Sequence, residues 1–281
     1  MPDGTTDAVV RAAFFDLDKT LIPGSSLFLL ARGAYDRDLI RVGDILRFGR
    51  SQLMFRLKGA ESRSGMDISR RSMLAFVTGR TQQEQIQMGR EIAEERIIPR
   101  VYENITTVIK GHQSRGELTF LVTAAPVELA QVVAGALDMT EAIGTKAELD
   151  ADGYYTGRLV GDVLHGAAKA EAVQKMAAQR GIDLAYCDAY SDSINDLPLL
   201  ESVGNPHAVN PDRELRRIAL ARGWPIHELR TRRRALLVGI PAGLGGVVLF
   251  GWGMAFGVWV ERKRREDLTR RLRRRVPFRL P

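Results

Sequence analysis

Short apolar runs alternate with segments of helical periodicity along most of this 281-residue chain. The apolar runs predict strands at 12–17, 117–122, 142–148, 184–187 and 208–209. Helical periodicity predicts helices at 127–137, 169–180, 196–202 and 212–221. The sequence Asp-Ala-Asp-Gly at 150–153, between two short extended pieces, predicts a β-hairpin. Because strands that alternate with helices usually pair in parallel, the pattern favours an α/β fold with a doubly wound, Rossmann-like sheet covered by helices on both faces.

Residues 25–115 interrupt this alternation with a mostly helical pattern, seen for example at 27–32 and 82–96. A structureless loop of this length is uncommon in a compact domain, and the segment contains many apolar residues. It is therefore predicted to form a packed helical domain, inserted into a core that comprises residues 1–24 and 116–230.

Two carboxylates mark the end of the first apolar run. Asp16 and Asp18 stand two positions apart, with Thr20 two positions further on. Because alternate side chains of an extended backbone share a face, the carboxylates emerge together and repel each other unless a cation or a shared proton lies between them. A hard metal ion such as Mg2+ prefers oxygen ligands of this kind.

Three later segments place further polar groups at predicted strand ends or helix starts. Thr123 follows the second apolar run, Lys169 begins a helix after the sequence His-Gly-Ala-Ala, and the sequence Asp-Ser-Ile-Asn-Asp at 192–196 follows the fourth run. Ligands of open α/β sheets bind at the carboxyl ends of the strands, where these groups are expected to meet. In this order the four motifs resemble the haloacid dehalogenase superfamily of phosphatases. The resemblance covers residues 12 to about 224, and it is strongest to the subfamily with members similar to phosphoserine phosphatases, phosphatidylglycerophosphatases and histidinol phosphatases.

This resemblance implies a Mg2+-dependent phosphatase that works through an aspartyl-phosphate intermediate, with residues 25–115 as a helical cap over the site. Asp16 is implied as the nucleophile and Asp18 as the general acid and base. The metal is expected at Asp16, the backbone carbonyl of Asp18 and Asp192. The groups expected at the substrate phosphate, or orienting the side chains and waters around it, are Thr123, Lys169, Asn195 and Asp196.

The sequence leaves the substrate open. Phosphoserine phosphatases carry a Glu shortly after the first motif, whereas the matching stretch here is Pro23-Gly24-Ser25-Ser26. A small phosphate ester and a lipid head-group phosphate are both compatible with the motifs. Two other functions also stay open: a membrane-bound regulatory or binding module without turnover, and a phosphotransferase that passes the phosphoryl group to an alcohol.

A charge-free run of 26 residues at 235–260 predicts a transmembrane helix, because about 20 apolar residues are enough to cross a bilayer. Arginine-rich clusters flank the run at 232–234 and 262–265. Such clusters meet anionic lipid head groups, and nucleic acid is not the expected partner. The catalytic domain is expected in the cytoplasm, anchored to the cytoplasmic membrane by a single crossing. A segment that dips into the bilayer and returns is the alternative.

Charge is distributed unevenly along the chain, whose formal net charge is +7. Residues 261–281 form a basic tail with 10 Lys/Arg against 3 Asp/Glu, and residues 213–234 hold 8 against 2. The basic character therefore belongs to the flanks of the apolar run. Within the run, a stripe of small residues predicts contact with another helix. The stripe comprises Gly239, Gly243, Gly246, Gly253 and Gly257.

The histidines and the cysteine carry no recognisable chemistry in the sequence. The four histidines have no metal-ligand spacing and are interpreted as surface or turn residues. They are His112, His165, His207 and His227. Cys187 is interpreted as a small core residue, and a single cysteine excludes an intramolecular disulfide, in keeping with a reducing compartment.

Overall fold

The computed structural model describes residues 10–37 and 79–229, and the elements are numbered in chain order over this part. The strands are β1 (Ala12–Phe15), β2 (Leu118–Pro126), β3 (Glu141–Thr145), β4 (Ala147–Leu149), β5 (Tyr155–Leu159), β6 (Asp188–Ser191), β7 (Asn205–Val209) and β8 (Ile226–His227). Within these residues a parallel sheet has the strand order β3-β2-β1-β6-β7-β8, and β4 and β5 form an antiparallel hairpin. The chain builds outward from β1 in one direction and then in the other, so the switch point lies between β1 and β6.

Helices connect the strands. They are α1 (Ser26–Asp36), α2 (Gln82–Ile92), α3 (Glu103–Ser114), α4 (Val127–Ala136), α5 (Ala167–Arg180), α6 (Leu197–Glu201) and α7 (Arg213–Arg222). Of these, α1, α2 and α7 begin at polar side-chain caps. Thr81 and Glu84 form a reciprocal capping box at the start of α2, and Asp212 accepts two backbone hydrogen bonds at the start of α7. A π-helical turn (Ala93–Ile97) and a 3₁₀ turn (Ile98–Arg100) follow α2.

The two faces of the sheet have different cores because consecutive side chains of a strand point in opposite directions. Phe14 packs on one face, stacked on Phe120 at 5.4 Å between ring centroids, in a cluster with residues of α5, α6 and α7. Phe15 packs on the other face, where α3 lies against β1 and β2. Its ring stacks on Tyr190 at 4.6 Å.

The predicted parallel α/β sheet is confirmed, but the strand predicted at 184–187 is wrong. A 3₁₀ turn occupies Leu184–Tyr186, because the Asp183 side chain accepts a hydrogen bond from the Ala185 amide and starts a turn there. The strand begins at Asp188, whose polar side chain finds a partner inside the fold. Hydrophobic pattern therefore located this strand four residues too early.

The segment predicted as one strand at 142–148 forms two strands in separate sheets. β3 pairs in parallel with β2, whereas β4 pairs antiparallel with β5 after a break at Lys146. The turn predicted at 150–153 is confirmed, and Asp150 Oδ1 accepts hydrogen bonds from the Asp152 and Tyr154 amides there. The second strand runs on to Pro126, beyond its predicted end at 122.

The helix α3 falls inside the segment 25–115 that the sequence assigns to the cap, yet it packs against β1 and β2 of the sheet. Within residues 10–37 and 79–229, no helix is both long enough and apolar enough to cross a membrane. The predicted transmembrane run at 235–260, the basic tail at 261–281 and part of the predicted cap lie outside the described residues.

Candidate active site

Asp16 and Lys169 form a buried pair at the carboxyl end of β1. Asp16 directly follows the strand, and its amide donates a 3.0 Å hydrogen bond to the Tyr190 carbonyl of β6. Lys169 comes from the first turn of α5, and its Nζ lies 2.7 Å from Asp16 Oδ1. Only 6% of Asp16 and 3% of Lys169 are exposed. A cation is thus held against the carboxylate that the sequence predicts as the nucleophile.

Asp196 holds the same ammonium from the other side. Lys169 Nζ lies 2.7 Å from Asp196 Oδ2, and that oxygen also accepts a 2.7 Å hydrogen bond from Ser191 Oγ. Ser191 ends β6, and Asp196 belongs to the 3₁₀ turn Ile194–Asp196 that follows it. The structure therefore brings together Asp16, Lys169 and Asp196, which lie 27 or more residues apart along the chain. The contact between Ser191 and Asp196 is local.

Burial and neighbouring charges together set the protonation of these groups. Loss of water raises the pKa of Asp16 to about 7, although the Lys169 ammonium acts in the opposite direction. Burial by itself lowers the pKa of Lys169, but the carboxylates of Asp16 and Asp196 together raise it above its usual range. Lys169 therefore stays charged at neutral pH. Any further positive charge nearby would stabilise the ionised form of Asp16.

Asp192 lies at the carboxyl end of β6, next to the switch point. It is 5% exposed, and burial raises its pKa to about 6, against the opposing charge of Lys19. Lys19 Nζ lies 3.6 Å from Asp192 Oδ2, and the Lys19 side chain is 55% exposed. The sequence interpretation did not include Lys19, although its position next to Asp18 was a usable signal.

Asp18 is oriented by the first turn of α1. Its Oδ1 accepts a 2.7 Å hydrogen bond from the backbone amide of Ser26, and the side chain is partly exposed. Asp18 also forms an isolated bridge with Ile22, so the loop after β1 turns back on itself. The carboxylate predicted as general acid and base is therefore held by the start of α1 and is partly accessible to solvent.

Thr123 lies in a bulge of β2 rather than at its end. The β2–β3 register shifts between Val122 and Pro126, and Thr123 Oγ1 accepts a 3.1 Å hydrogen bond from the Ala125 amide. The hydroxyl is buried, with Thr123 2% exposed. Thr145 Oγ1 fixes the bulge from β3 by donating to the Ala124 carbonyl at 2.8 Å.

Asn195 is the one predicted site residue whose side chain is exposed in the described structure. Its Nδ2 donates a 3.2 Å hydrogen bond to Ser193 Oγ, which also caps the short 3₁₀ turn. It lies on the same loop as Asp192 and Asp196, and its predicted place at the substrate stays a prediction.

The donor set at this edge suits a hard divalent cation. The four carboxylates of Asp16, Asp18, Asp192 and Asp196 outnumber the two ammonium groups of Lys19 and Lys169. Two of the carboxylates have raised pKa values because they are buried, so a cation would stabilise their charged forms. Oxygen donors without sulfur or imidazole are typical of Mg2+ sites. Asp16, Asp192 and the Asp18 carbonyl are the groups that would hold the ion.

Asn210 supports the site from the carboxyl end of β7, and the sequence interpretation missed it. Its Nδ2 donates to the Lys19 carbonyl at 3.1 Å, and its Oδ1 accepts from the Leu229 amide at 2.8 Å. Asn210 has a φ of 45° and is 3% exposed. A polar residue directly after a predicted strand was the available signal. Through its contact with Asn210, Leu229 lies at the same edge of the sheet as the carboxylates.

Three histidines meet around Tyr190 on the α3 face, so their interpretation as surface or turn residues is wrong for His112, which is 3% exposed. His112 Nε2 lies 2.9 Å from the Tyr190 hydroxyl, and the Tyr190 ring stacks on His207 at 4.4 Å. His112, Glu117 and Asp188 have ligand atoms within 4.8 Å of one another, but Arg115 already supplies positive charge to Glu117. The Tyr190 cluster comprises His112, Glu117, Asp188, Tyr190, His207 and His227.

Comparison with known proteins assigns this arrangement to a family. Residues 13–201 match the family described as haloacid dehalogenase-like hydrolase. A phosphoserine phosphatase of Mycobacterium tuberculosis is 42% identical over 236 residues, which cover 84% of this chain and 76% of that protein. A histidinol-phosphatase of Neisseria meningitidis is 32% identical over 219 residues, or 76% of this chain and 96% of that protein.

A solved structure has the same fold. The crystal structure of a Bordetella pertussis protein of unknown function superposes with a TM-score of 0.70 at 32% identity, and the match covers 79% of this chain and all of that one. The family match over residues 13–201 confirms the family predicted from the four motifs. With its motifs gathered at the carboxyl edge of a parallel sheet, the chain belongs to the haloacid dehalogenase-like hydrolases.

Proposed function

We propose that the protein is a Mg2+-dependent phosphomonoester phosphatase that forms an aspartyl-phosphate on Asp16. The observation that carries this proposal is the Lys169 ammonium, buried 2.7 Å from Asp16 Oδ1. A carboxylate nucleophile and a phosphate dianion repel each other, so positive charge has to be in place before they approach. The relatives named as phosphatases support the same chemistry.

The proposed reaction divides one displacement into two. Asp16 attacks phosphorus as the ester P–O bond to the alcohol breaks, and Asp18 gives its proton to the departing alkoxide. Water then attacks phosphorus as the P–O bond to Asp16 breaks, and the water gives its proton to Asp18. Inorganic phosphate leaves, and the Asp16 carboxylate is restored. Lys169 offsets the negative charge that gathers at Asp16 in both steps, and the buried Thr123 hydroxyl would donate to a phosphoryl oxygen.

Mg2+, when bound, would supply further positive charge to the phosphoryl oxygens. The family generally uses this ion, and the oxygen donors of Asp16, Asp18 and Asp192 suit it. Asp196 and Ser191 would keep Lys169 in place while the charge at Asp16 changes. Asn195 would reach the substrate side from the surface of the same loop.

The proposed location is the cytoplasmic membrane, with the run 235–260 as a single crossing and the described unit in the cytoplasm. Anionic lipids would meet the flanking arginines, and the glycine stripe would pack against a second helix. The substrate is then a small phosphate ester or a lipid head-group phosphate. Relatives named phosphoserine phosphatase and histidinol-phosphatase support the first, and the charge-free run favours the second.

Phosphate release from a panel of esters tests the proposal. The full chain in detergent should release phosphate with Mg2+ and stop when EDTA removes the ion. Two outcomes would identify the alternatives. Ester binding without release would indicate a binding module, and transfer of the phosphoryl group to added glycerol in place of water would indicate a phosphotransferase.

A further inference from the structure

Lys19 has a main-chain conformation that is unusual for a lysine. Its φ is 62°, in the left-handed region that residues with a Cβ seldom adopt. The backbone is held from two sides, because the Lys19 amide donates to the Gly24 carbonyl and the Lys19 carbonyl accepts from Asn210 Nδ2, both at 3.1 Å. Strained backbone of this kind is concentrated at functional sites. The loop therefore fixes the backbone position from which the Lys19 side chain extends.

The Lys19 ammonium itself is loosely held. Its 3.6 Å distance to Asp192 Oδ2 exceeds the usual length of a hydrogen bond, and 55% of the side chain is exposed. Exposed ion pairs contribute little to stability. The ammonium can therefore move from Asp192 toward a better anionic partner at small cost.

Lys169 is not available for such a move. It donates to both Asp16 and Asp196 at 2.7 Å and is 3% exposed, so its charge serves the nucleophile and the phosphate that binds there. Of the two lysines described at this site, Lys19 is the exposed one. It lies on the solvent side, where the alcohol part of a phosphomonoester would extend once its phosphate faces Asp16.

The chemistry of Asp192 also favours an outward position for Lys19. Asp192 is one of the carboxylates that would hold Mg2+, and two cations at the same carboxylate repel each other. A metal ion and the Lys19 ammonium would therefore compete for Asp192. The competition would leave Lys19 without an anionic partner unless the substrate brings one.

We propose that Lys19 is a specificity-determining residue that binds a second negative charge on the alcohol part of the substrate. The inference rests on the proposed phosphatase function. It narrows the substrate class to phosphomonoesters whose alcohol carries a carboxylate or a phosphodiester group. An ester of a neutral alcohol would use the same catalytic groups and lack the contact with Lys19.

Two esters of similar size separate this role from catalysis. Phosphoglycolate carries a carboxylate, whereas ethyl phosphate does not. With Mg2+, the full chain should prefer phosphoglycolate, and Lys19→Gln should lower kcat/KM for that ester about 10-fold or more, mainly through KM. The loss on ethyl phosphate should be much smaller. Lys175→Gln removes the same charge from the exposed face of α5 and should leave the preference intact.

Binding measured without turnover keeps this inference distinct from the proposed function. Calorimetry on an Asp16→Asn protein with Mg2+ should show tighter binding of phosphoglycolate than of ethyl phosphate, and Lys19→Gln should remove the difference. Equal binding of the two esters, or equal losses on both, would overturn the assignment of Lys19. A chain that shows the binding difference yet hydrolyses neither these esters nor p-nitrophenyl phosphate would refute the phosphatase function and keep the Lys19 contact.

Discussion

A carboxylate must be ionised to attack phosphorus, and Asp16 lies where ionisation is opposed by burial. Asp16→Asn keeps the shape of the side chain and removes the charge of the oxygen that is proposed to attack. We expect phosphate release to fall by more than about 10³-fold, with the far-ultraviolet circular dichroism spectrum and melting temperature close to those of the parent. Activity within about tenfold of the parent would show that another group is the nucleophile.

Lys169 is expected to contribute to folding as well as to chemistry. Lys169→Met leaves Asp16 and Asp196 buried without their cation, which should cost about 3–5 kcal/mol at pH 8. Urea unfolding at pH 8 and pH 5 measures the loss, which should shrink at pH 5 as Asp16, whose pKa is raised by burial, takes up a proton. Lys175→Met, at an exposed position of the same helix, is the matched control. Equal losses for both variants would contradict the ion-pair network.

The raised pKa values of Asp16 and Asp192 predict how pH and Mg2+ act together. Both pKa values lie above the 3.8 of an unfolded aspartate, at about 7 and about 6. The folded chain therefore binds more protons than the unfolded chain between pH 3.8 and about 7. The contribution of these two groups to the free energy of unfolding is therefore lost as pH rises through this window. Mg2+ binds the ionised form, so it should raise the melting temperature more at pH 8 than at pH 5.

A variant of one predicted ligand tests whether Mg2+ acts at these carboxylates. Asp192→Asn should reduce the increase in melting temperature that Mg2+ causes at pH 8, because one predicted ligand loses its charge. Sodium chloride at the same ionic strength should not reproduce the increase. An identical Mg2+ effect at both pH values would contradict the link to these carboxylates.

At the scale of the elements, the contact between the 3₁₀ turn Leu184–Tyr186 and the start of β7 depends on a glycine. A Cβ at Gly204 would collide with the Ala185 carbonyl, and the Gly204 amide donates to the Leu184 carbonyl at 2.9 Å. Gly204→Ala should therefore destabilise the protein by about 1–3 kcal/mol in urea unfolding. Gly135→Ala in α4 meets no atom within 4 Å and should be neutral or stabilising by up to about 1 kcal/mol. Equal effects would contradict the close approach.

The edge strand β8 pairs with β7, and a histidine of each strand contacts the other. The charge of these histidines is expected to affect the stability of the protein. His227 Nε2 lies 3.1 Å from His207 Nδ1, and burial together with His207 lowers the pKa of His227 below its usual 6.5. The unfolded chain then binds the proton more readily, so stability is lost as pH falls through 6.5. Within the described residues, two other titratable groups face the pair: Asp188 lies 2.9 Å from His207, and the Tyr190 ring contacts both histidines.

Replacing this histidine isolates its contribution. His227→Asn should flatten the decrease in unfolding free energy between pH 7 and pH 5 relative to the parent, because the asparagine carries no titrating proton. Urea unfolding across that range measures the difference. Parallel curves for parent and variant would show that the proton binds elsewhere in the Tyr190 cluster.

At the scale of the whole molecule, the proposed anchor makes its own prediction. The full chain should float with vesicles that contain phosphatidylglycerol and resist extraction at alkaline pH, and a chain that ends at 234 should stay with the soluble fraction. Both chains should release phosphate from soluble esters at similar rates. Recovery of the full chain in the soluble fraction would refute the membrane helix and leave the catalytic proposal standing.

The sequence by itself determined the parts of this protein that depend on local order. Strand and helix alternate along the chain, and Asp16 and Asp18 follow a buried strand directly, so parallel pairing alone brings their motif to the edge where ligands bind. The same rule placed Asp192 there, and Lys169 joins it from the first turn of α5. Motifs at strand ends are predictable because the sheet's topology, rather than side-chain packing, decides which ends meet.

Tertiary structure alone decided the contacts between distant segments. The Tyr190 cluster joins His112 to a residue 78 positions away, and Asn210 reaches Lys19 across 191 positions. Hydrophobic periodicity contains no information on such pairs, because a buried polar side chain gives the same sequence signal as a solvated one. For the same reason the predicted start of β6 is too early. A polar residue such as Asp188 is typical of a loop in the sequence, and only the pairing of β6 with β7 brings His207 beside it.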